Sequence, residues 1–221
     1  MWQALYEELK ALGFVVIAVA MDSREGDPGP WIEAARPTYP ALIDREHRLA
    51  ELYGIVNVPQ AVWIDEAGRI VRPAEPAGAY EGFRQMNRLT REMPEDVARL
   101  TAQAKATYLD AIRDWVRHGS KSAHALSTAQ AREHLPPPRE ATARAQAMFR
   151  LGQLLLRRGE REEGERWIRE ASRLHPESWC IWRQGAGVNE TGLAALPDFW
   201  QRVDALGEDR YYARIDMPGM P

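Results

Sequence analysis

At 221 residues with 45% apolar side chains, the chain is long enough for one sizeable domain or two small ones and has an ordinary globular composition. A formal net charge of -3, with arginines scattered among carboxylates, gives no electrostatic pull toward nucleic acid or an anionic membrane, and neither is expected as a partner. No apolar run approaches the ~20 residues of a transmembrane helix, and the N-terminus lacks the basic start and cleavage site of a signal peptide, so the reading is cytoplasmic unless the native N-terminus is longer. Cys180 is the single cysteine, which excludes an internal disulfide, a cysteine-based zinc site and a two-thiol redox motif within one chain.

In chain order, Trp2, Leu5, Tyr6, Leu9 and Leu12 recur at helical spacing and Gly13 stops the helix. Phe14 to Ala20 is continuously apolar and rich in β-branched residues, as expected of a strand buried on both faces in a covered parallel sheet. Asp22 to Pro30 reads as a loop, and Trp31 to Arg36 as a short helix closed before Pro37. Tyr39 to Asp44 is a further extended segment, and Arg45 to Tyr53 reads as a helix carrying Leu49, Leu52 and Tyr53 inward, ended by Gly54.

Ile55 to Arg72 organises the first third of the chain. Val58-Pro59-Gln60 opens the apolar run Ala61-Val62-Trp63-Ile64, Asp65-Glu66-Ala67-Gly68 supplies a tight turn, and Arg69-Ile70-Val71 begins a second β-rich run, which predicts a hairpin. Pro59 fits only the start of such a strand, because it has no N–H for the ladder. From Trp2 to about Pro73, order and lengths resemble a thioredoxin-like domain, closest to the membrane-tethered and secreted thiol-disulfide reductases and their redoxin relatives. The resemblance implies that the proline is cis and that Val58, Pro59 and Gln60 contact substrate backbone.

It also implies features that this sequence does not contain. In the family, a central strand and a Cys-x-x-Cys turn precede the helix placed here at Trp2 to Leu12. That helix is entered there through a Met-Pro sequence, and Met1 falls where the methionine stands. Either the native start lies upstream, or the chain is a shortened, non-redox module. The first is favoured, since removing a central strand strands the backbone donors and acceptors of both neighbours. If the short form folds, another strand, a partner subunit or a rearranged sheet must close the gap.

Pro73, Pro76 and Gly78 mark a boundary, after which the pattern turns helical. Tyr80 to Glu92 and Pro94 to His118 are predicted helices; in the second, Val97, Leu100, Ala104, Tyr108, Ile112 and Trp115 step along one side. Ser120 to Ala131 is a further helix candidate, and Pro136-Pro137-Pro138 a stiff break. Beyond it, Met148, Leu151, Gly152, Leu155, Gly164, Ile168, Ala171 and Pro176 match the spacings of the tetratricopeptide consensus, a unit of two antiparallel helices. Gly164 stands where alanine is usual. Gly185, Gly187 and Asn189 spoil a second repeat, so the one repeat is expected to pack on its neighbours. The aromatic tail, with Phe199, Trp200, Tyr211 and Tyr212, is expected to wrap back onto the helical part.

No residue is assigned a catalytic role, and no cofactor or metal is expected. Cys180, between Trp179 and Ile181, reads as a buried small hydrophobe. His47, His118, His124, His134 and His175 lack ligand-like spacing. Asp22 with Asp27 lacks the alternation of a calcium loop. Trp31 and Trp63 would flank a redox surface or serve as core.

The expected architecture is thus an incomplete α/β thioredoxin-like domain (residues 1–78), a helical connecting region (79–135), tetratricopeptide-like helices (136–190) and a C-terminal helix and tail (191–221). The leading expectation is a redoxin-family protein that is inactive in dithiol exchange with the cysteines it has. The alternative is a non-enzymatic module binding a protein or peptide partner, and a homodimer suits either.

Overall fold

In the computed structural model, which describes residues 1–21, 28–135, 137, 139–190, 192 and 194–221, the first amphipathic stretch forms α1 (Trp2–Leu9). It buries Leu5 and Leu9, tightens into a 3-10 turn at Lys10–Leu12, and ends on Gly13 in the left-handed region at φ 84°. The Asp22 to Asp27 loop, with its paired aspartates, and Pro136 and Pro138 of the proline break lie outside the described residues.

Strand β1 (Ala18–Ala20) pairs in parallel with β2 (Ala41–Ile43), Ala18 opposite Ala41 and Ala20 opposite Ile43. This corrects the expected strand at Phe14 to Ala20: only three residues are in a ladder, and Val15 and Ile17 are 58% and 61% exposed. Val15 and Ile17 precede the three paired residues, so their side chains lie outside the ladder. Between the two strands lies α2 (Gly29–Ala35), ended by Arg36 at φ 45° directly before Pro37.

Helix α3 (Arg48–Tyr53) starts later than expected, because Asp44 Oδ2 accepts the Leu49 N–H at 2.6 Å and His47 turns the chain at φ 53°. It buries Ala50, while Leu52, expected inward, faces solvent.

The predicted hairpin is present as β3 (Gln60–Ile64) and β4 (Ile70–Pro76), antiparallel. Asp65 Oδ1 accepts the N–H groups of Ala67 and Arg69, and Gly68 supplies φ 75°. The register moves from Ala61 opposite Glu75 to Trp63 opposite Arg72, so β4 carries an extra residue there. Pro73 is thereby accommodated inside the strand despite lacking a donor.

The helix expected at Tyr80 to Glu92 is instead a 3-10 turn, Glu81–Gln85, followed by a closed loop. Asn87 Oδ1 accepts from the Leu89 and Thr90 N–H groups, a local bond that competes with helix. Then follow α4 (Glu95–His118), α5 (Thr128–Glu133), which opens on a Ser127–Gln130 capping box, α6 (Glu140–Arg157), α7 (Arg161–Leu174), α8 (Trp179–Gly185) and α9 (Pro197–Asp204).

Contacts gather these elements into two compact units of non-contiguous chain. One comprises Met1–Val15, Pro59–Leu135 and Arg202–Pro221; the other comprises Val16–Val58 and Pro136–Gln201. In the first, Leu5, Leu9, Trp63, Tyr108, Ile112 and Met217 form the core. Trp63 Nε1 donates to the Tyr108 hydroxyl at 2.8 Å, and its ring stacks on Trp115. The C-terminal tail belongs to this core: Tyr211 and Met217 are buried, and Arg72 donates to the Asp216 carbonyl at 2.8 Å.

In the second unit, Phe149, Ile168, Ala171 and Ile181 are the core, and α6 and α7 form an antiparallel hairpin turned at Gly159 (φ 83°). A Cβ at Gly152 would stand 2.8 Å from the Gly164 carbonyl oxygen, so the two backbones touch at these glycines.

Candidate functional site

The loop expected to contact substrate runs from Ile55 into β3. Ile55 and Asn57 are buried, Val58 is 39% exposed and Pro59 is exposed. Its first half is fastened by α8. The Cys180 N–H, free of an intrahelical partner at the helix start, donates to the Val56 carbonyl at 3.0 Å. Both terminal nitrogens of Arg183 donate to Asn57 Oδ1 at 3.0 Å, and the Val58 N–H donates to the same oxygen at 2.9 Å. One buried amide oxygen therefore gathers three donors, two from a cation, and holds the residues just before Pro59 in one conformation.

Past Val58, the Pro59 carbonyl accepts the Ala77 N–H at 3.3 Å, and Gln60 pairs with Pro76 at the end of the hairpin. Gln60 Oε1 is buried and accepts no hydrogen bond from the described residues.

Cys180 is buried, and burial pushes its thiol up to about 11, with the Arg183 charge pulling weakly the other way. A thiol held in this state supplies almost no thiolate near neutral pH, and thiolate is the attacking species in disulfide exchange and peroxide reduction. Among the described residues, no three His, Cys, Asp or Glu side chains come together as a metal-binding group, and no helix is long and apolar enough to cross a membrane.

The positions singled out in the helical part separate into two groups. Met148, Gly152, Gly164, Ile168 and Ala171 meet along the α6–α7 contact, whereas Leu151 and Pro176 are exposed and Leu155 is half-buried. Phe149, not singled out from the sequence, is the most buried ring there and meets His47 edge-on at 5.2 Å. Asn57 and Arg183 were also missed. An Asn placed two residues before an X-Pro strand start is a visible turn signal, but its cationic partner 126 positions away has no local signature.

A model of the AhpC/TSA family matches residues 1–72, roughly a third of the chain. The N-terminal region is thioredoxin-like. No curated protein and no solved structure matches. The redoxin-type region takes in α1, both two-stranded sheets up to Arg72 and the Val58-Pro59-Gln60 loop, and the remainder of the chain is largely helical.

Proposed function

We propose that this chain is a redoxin-type protein that uses its Val58-Pro59-Gln60 loop to engage an extended segment of a protein or peptide, and that its own residues do not perform dithiol exchange. The carrying observation is the state of its only thiol: Cys180 is buried, high in pKa and built into the fold through its backbone N–H. Nucleophilic attack on a disulfide needs an accessible thiolate and a second thiol to resolve the mixed disulfide. Cys180 supplies neither.

Insulin reduction by dithiothreitol tests the chemistry. Added protein is expected to leave the rate of precipitation at the uncatalysed level, and clear acceleration that is lost in Cys180→Ala would overturn the reading.

The second reading, a protein-binding module without redox chemistry, is favoured by the fastening of the loop to α8. The tetratricopeptide-like reading of α6 and α7 then gives the helical part a scaffolding role, in which a single helical pair packs on its neighbours and orders the binding loop. A pull-down with Pro59→Ala as control tests the binding loop that both readings share. Loss of a captured partner, with insulin reduction absent throughout, is the outcome expected of a binding module.

A further inference from the structure

Two sides of α6 are taken up within its own unit, and the third is turned to solvent. Gly152 touches the backbone of α7, Phe149 meets the His47 ring ahead of α3, and Gln153 Nε2 donates to the Arg45 carbonyl at 3.3 Å. The remaining side carries Ala143, Ala147, Leu151 and Leu154, all exposed, the leucines at 38% and 37%. At ~100° per residue the four fall within about 80° of arc and form an apolar stripe roughly 17 Å long.

Arginines border this stripe. On the helix, Arg144 lies to one side of it, Arg150 and Arg157 to the other, and Arg158 stands at its C-terminal end. Arg150 shares the Glu51 carboxylate with Arg48, two guanidiniums on one anion. The guanidiniums of Arg144, Arg157 and Arg158 make no hydrogen bond or ion pair among the described residues. The carboxylates beside these five arginines are fewer: Glu51, Glu140 at the N-terminal end of the stripe and Glu160 beyond its C-terminal end, while Arg45 and Glu46 cancel each other. The stripe is therefore apolar with borders of net positive charge.

We propose that this face of α6 binds an amphipathic helix of a partner protein whose own apolar stripe is bordered by Asp and Glu. Apolar positions at i, i+4, i+8 and i+11 interlock with a partner of the same helical period, whereas an extended segment turns alternate side chains away. Ala143 and Ala147 leave room for larger side chains of the partner, and Leu151 and Leu154 fill its grooves. Carboxylates on the borders would meet guanidiniums in charge-assisted pairs, and a basic helix would meet like charge. The inference does not rest on the Val58-Pro59-Gln60 loop, and α6 lies beyond the residues matched by the family.

The test uses two synthetic peptides of about 21 residues, three heptads with leucine at a and d, one carrying glutamate at e and g and the other lysine. Fluorescein-labelled peptide is titrated with the full chain and followed by anisotropy, and the contact is mapped from amide shifts of the ¹⁵N-labelled chain. The glutamate peptide is expected to bind saturably with shifts centred on Ala143 to Leu154, and the lysine peptide about tenfold or more weakly. Leu151→Gln with Leu154→Gln should lower the affinity for the glutamate peptide about tenfold, and since both side chains face solvent the variant spectrum should keep its dispersion. Arg144→Gln with Arg158→Gln should bring the two affinities together. Pro59→Ala should bind as the wild type does, which separates failure here from failure of the loop. Equal binding of the two peptides by the wild type, unchanged affinity in the leucine variant, shifts centred elsewhere, no saturable binding in the millimolar range, or displacement of the glutamate peptide by phosphatidylserine vesicles each overturns the proposal.

Discussion

At the scale of single residues, two buried groups set testable limits. Burial disfavours the Cys180 thiolate and pushes its thiol from an ordinary 9.0 up to about 11. The unfolded chain releases that proton first, so from about pH 9 to about pH 11 the unfolded state binds fewer protons than the folded state. Stability contributed below pH 9 is accordingly lost across this window, by about 2–3 kcal/mol in all. Urea midpoints measured between pH 8 and 11 should fall for the wild type more steeply than for Cys180→Ala. At pH 8, a disulfide reagent should label Cys180 at least a hundredfold faster in denaturant than in buffer.

Arg72 is the other such group, at 1% exposure. It makes a bidentate pair with Glu75, donates to the carbonyls of His124 and Asp216, and lies over the Trp63 ring. Arg72→Met leaves the Glu75 carboxylate largely buried without its cation and frees two carbonyls, one of them in the tail. The expected loss is about 3–5 kcal/mol by chemical denaturation, and most of it should return in the double variant with Glu75→Leu, because the desolvated charge is then gone as well.

At the scale of elements, the α6–α7 hairpin is set by two glycines in contact. A Cβ at Gly152 would meet Ile168 Cγ1 at 2.7 Å and the Gly164 carbonyl at 2.8 Å; one at Gly164 would meet Leu156 Cγ at 2.8 Å and the Gly152 carbonyl at 2.9 Å. Backbone atoms cannot swing aside, so Gly152→Ala is expected to destabilise by about 1–3 kcal/mol, outweighing the ~1 kcal/mol that alanine gains in helix propensity. Gly164→Ala should also destabilise, although alanine is the usual residue of the repeat pattern at that point. A rise in melting temperature for either variant would contradict this close approach.

The sequence displayed the glycines and the hairpin of β3 and β4 because both follow from local spacing and turn chemistry. It did not display the loss of helix at Tyr80 to Glu92, where the Asn87 side chain captures two amides, nor the shortness of β1, whose extent depends on neighbours remote in sequence. The candidate loop was legible at Pro59 but its fastening was not. Asn57 and Arg183 come together only through α8, and Asn57→Ala removes an acceptor shared by three N–H donors. It should cost about 1–3 kcal/mol. The same change should accelerate exchange of the Val58 amide more than tenfold while leaving the hairpin amides of β4 unchanged.

At the scale of the whole molecule, the parallel pair of β1 and β2 leaves an edge open among the described residues. Ala18 N–H donates to the Pro40 carbonyl and the Ala20 carbonyl accepts from Asp44 N–H, so alternation along the ladder turns the Val19 backbone groups to the opposite edge. No strand occupies that edge among the described residues, and Ile17, Leu42 and Ile43 are exposed on or beside the pair. An unpaired edge with apolar neighbours is a template for strand addition. The chain is therefore expected to associate as its concentration rises, with light scattering showing a mass above 25.1 kDa. Ile17→Lys places a charge beside the edge and removes an exposed apolar side chain without touching a buried contact. It should restore the monomer mass across the same concentration range and leave the melting temperature within about 2 °C, since surface changes away from packed features usually stay within ~0.5 kcal/mol. Association unchanged in Ile17→Lys would move the contact away from β1, and a monomer at every concentration would mean that this edge does not recruit a second strand.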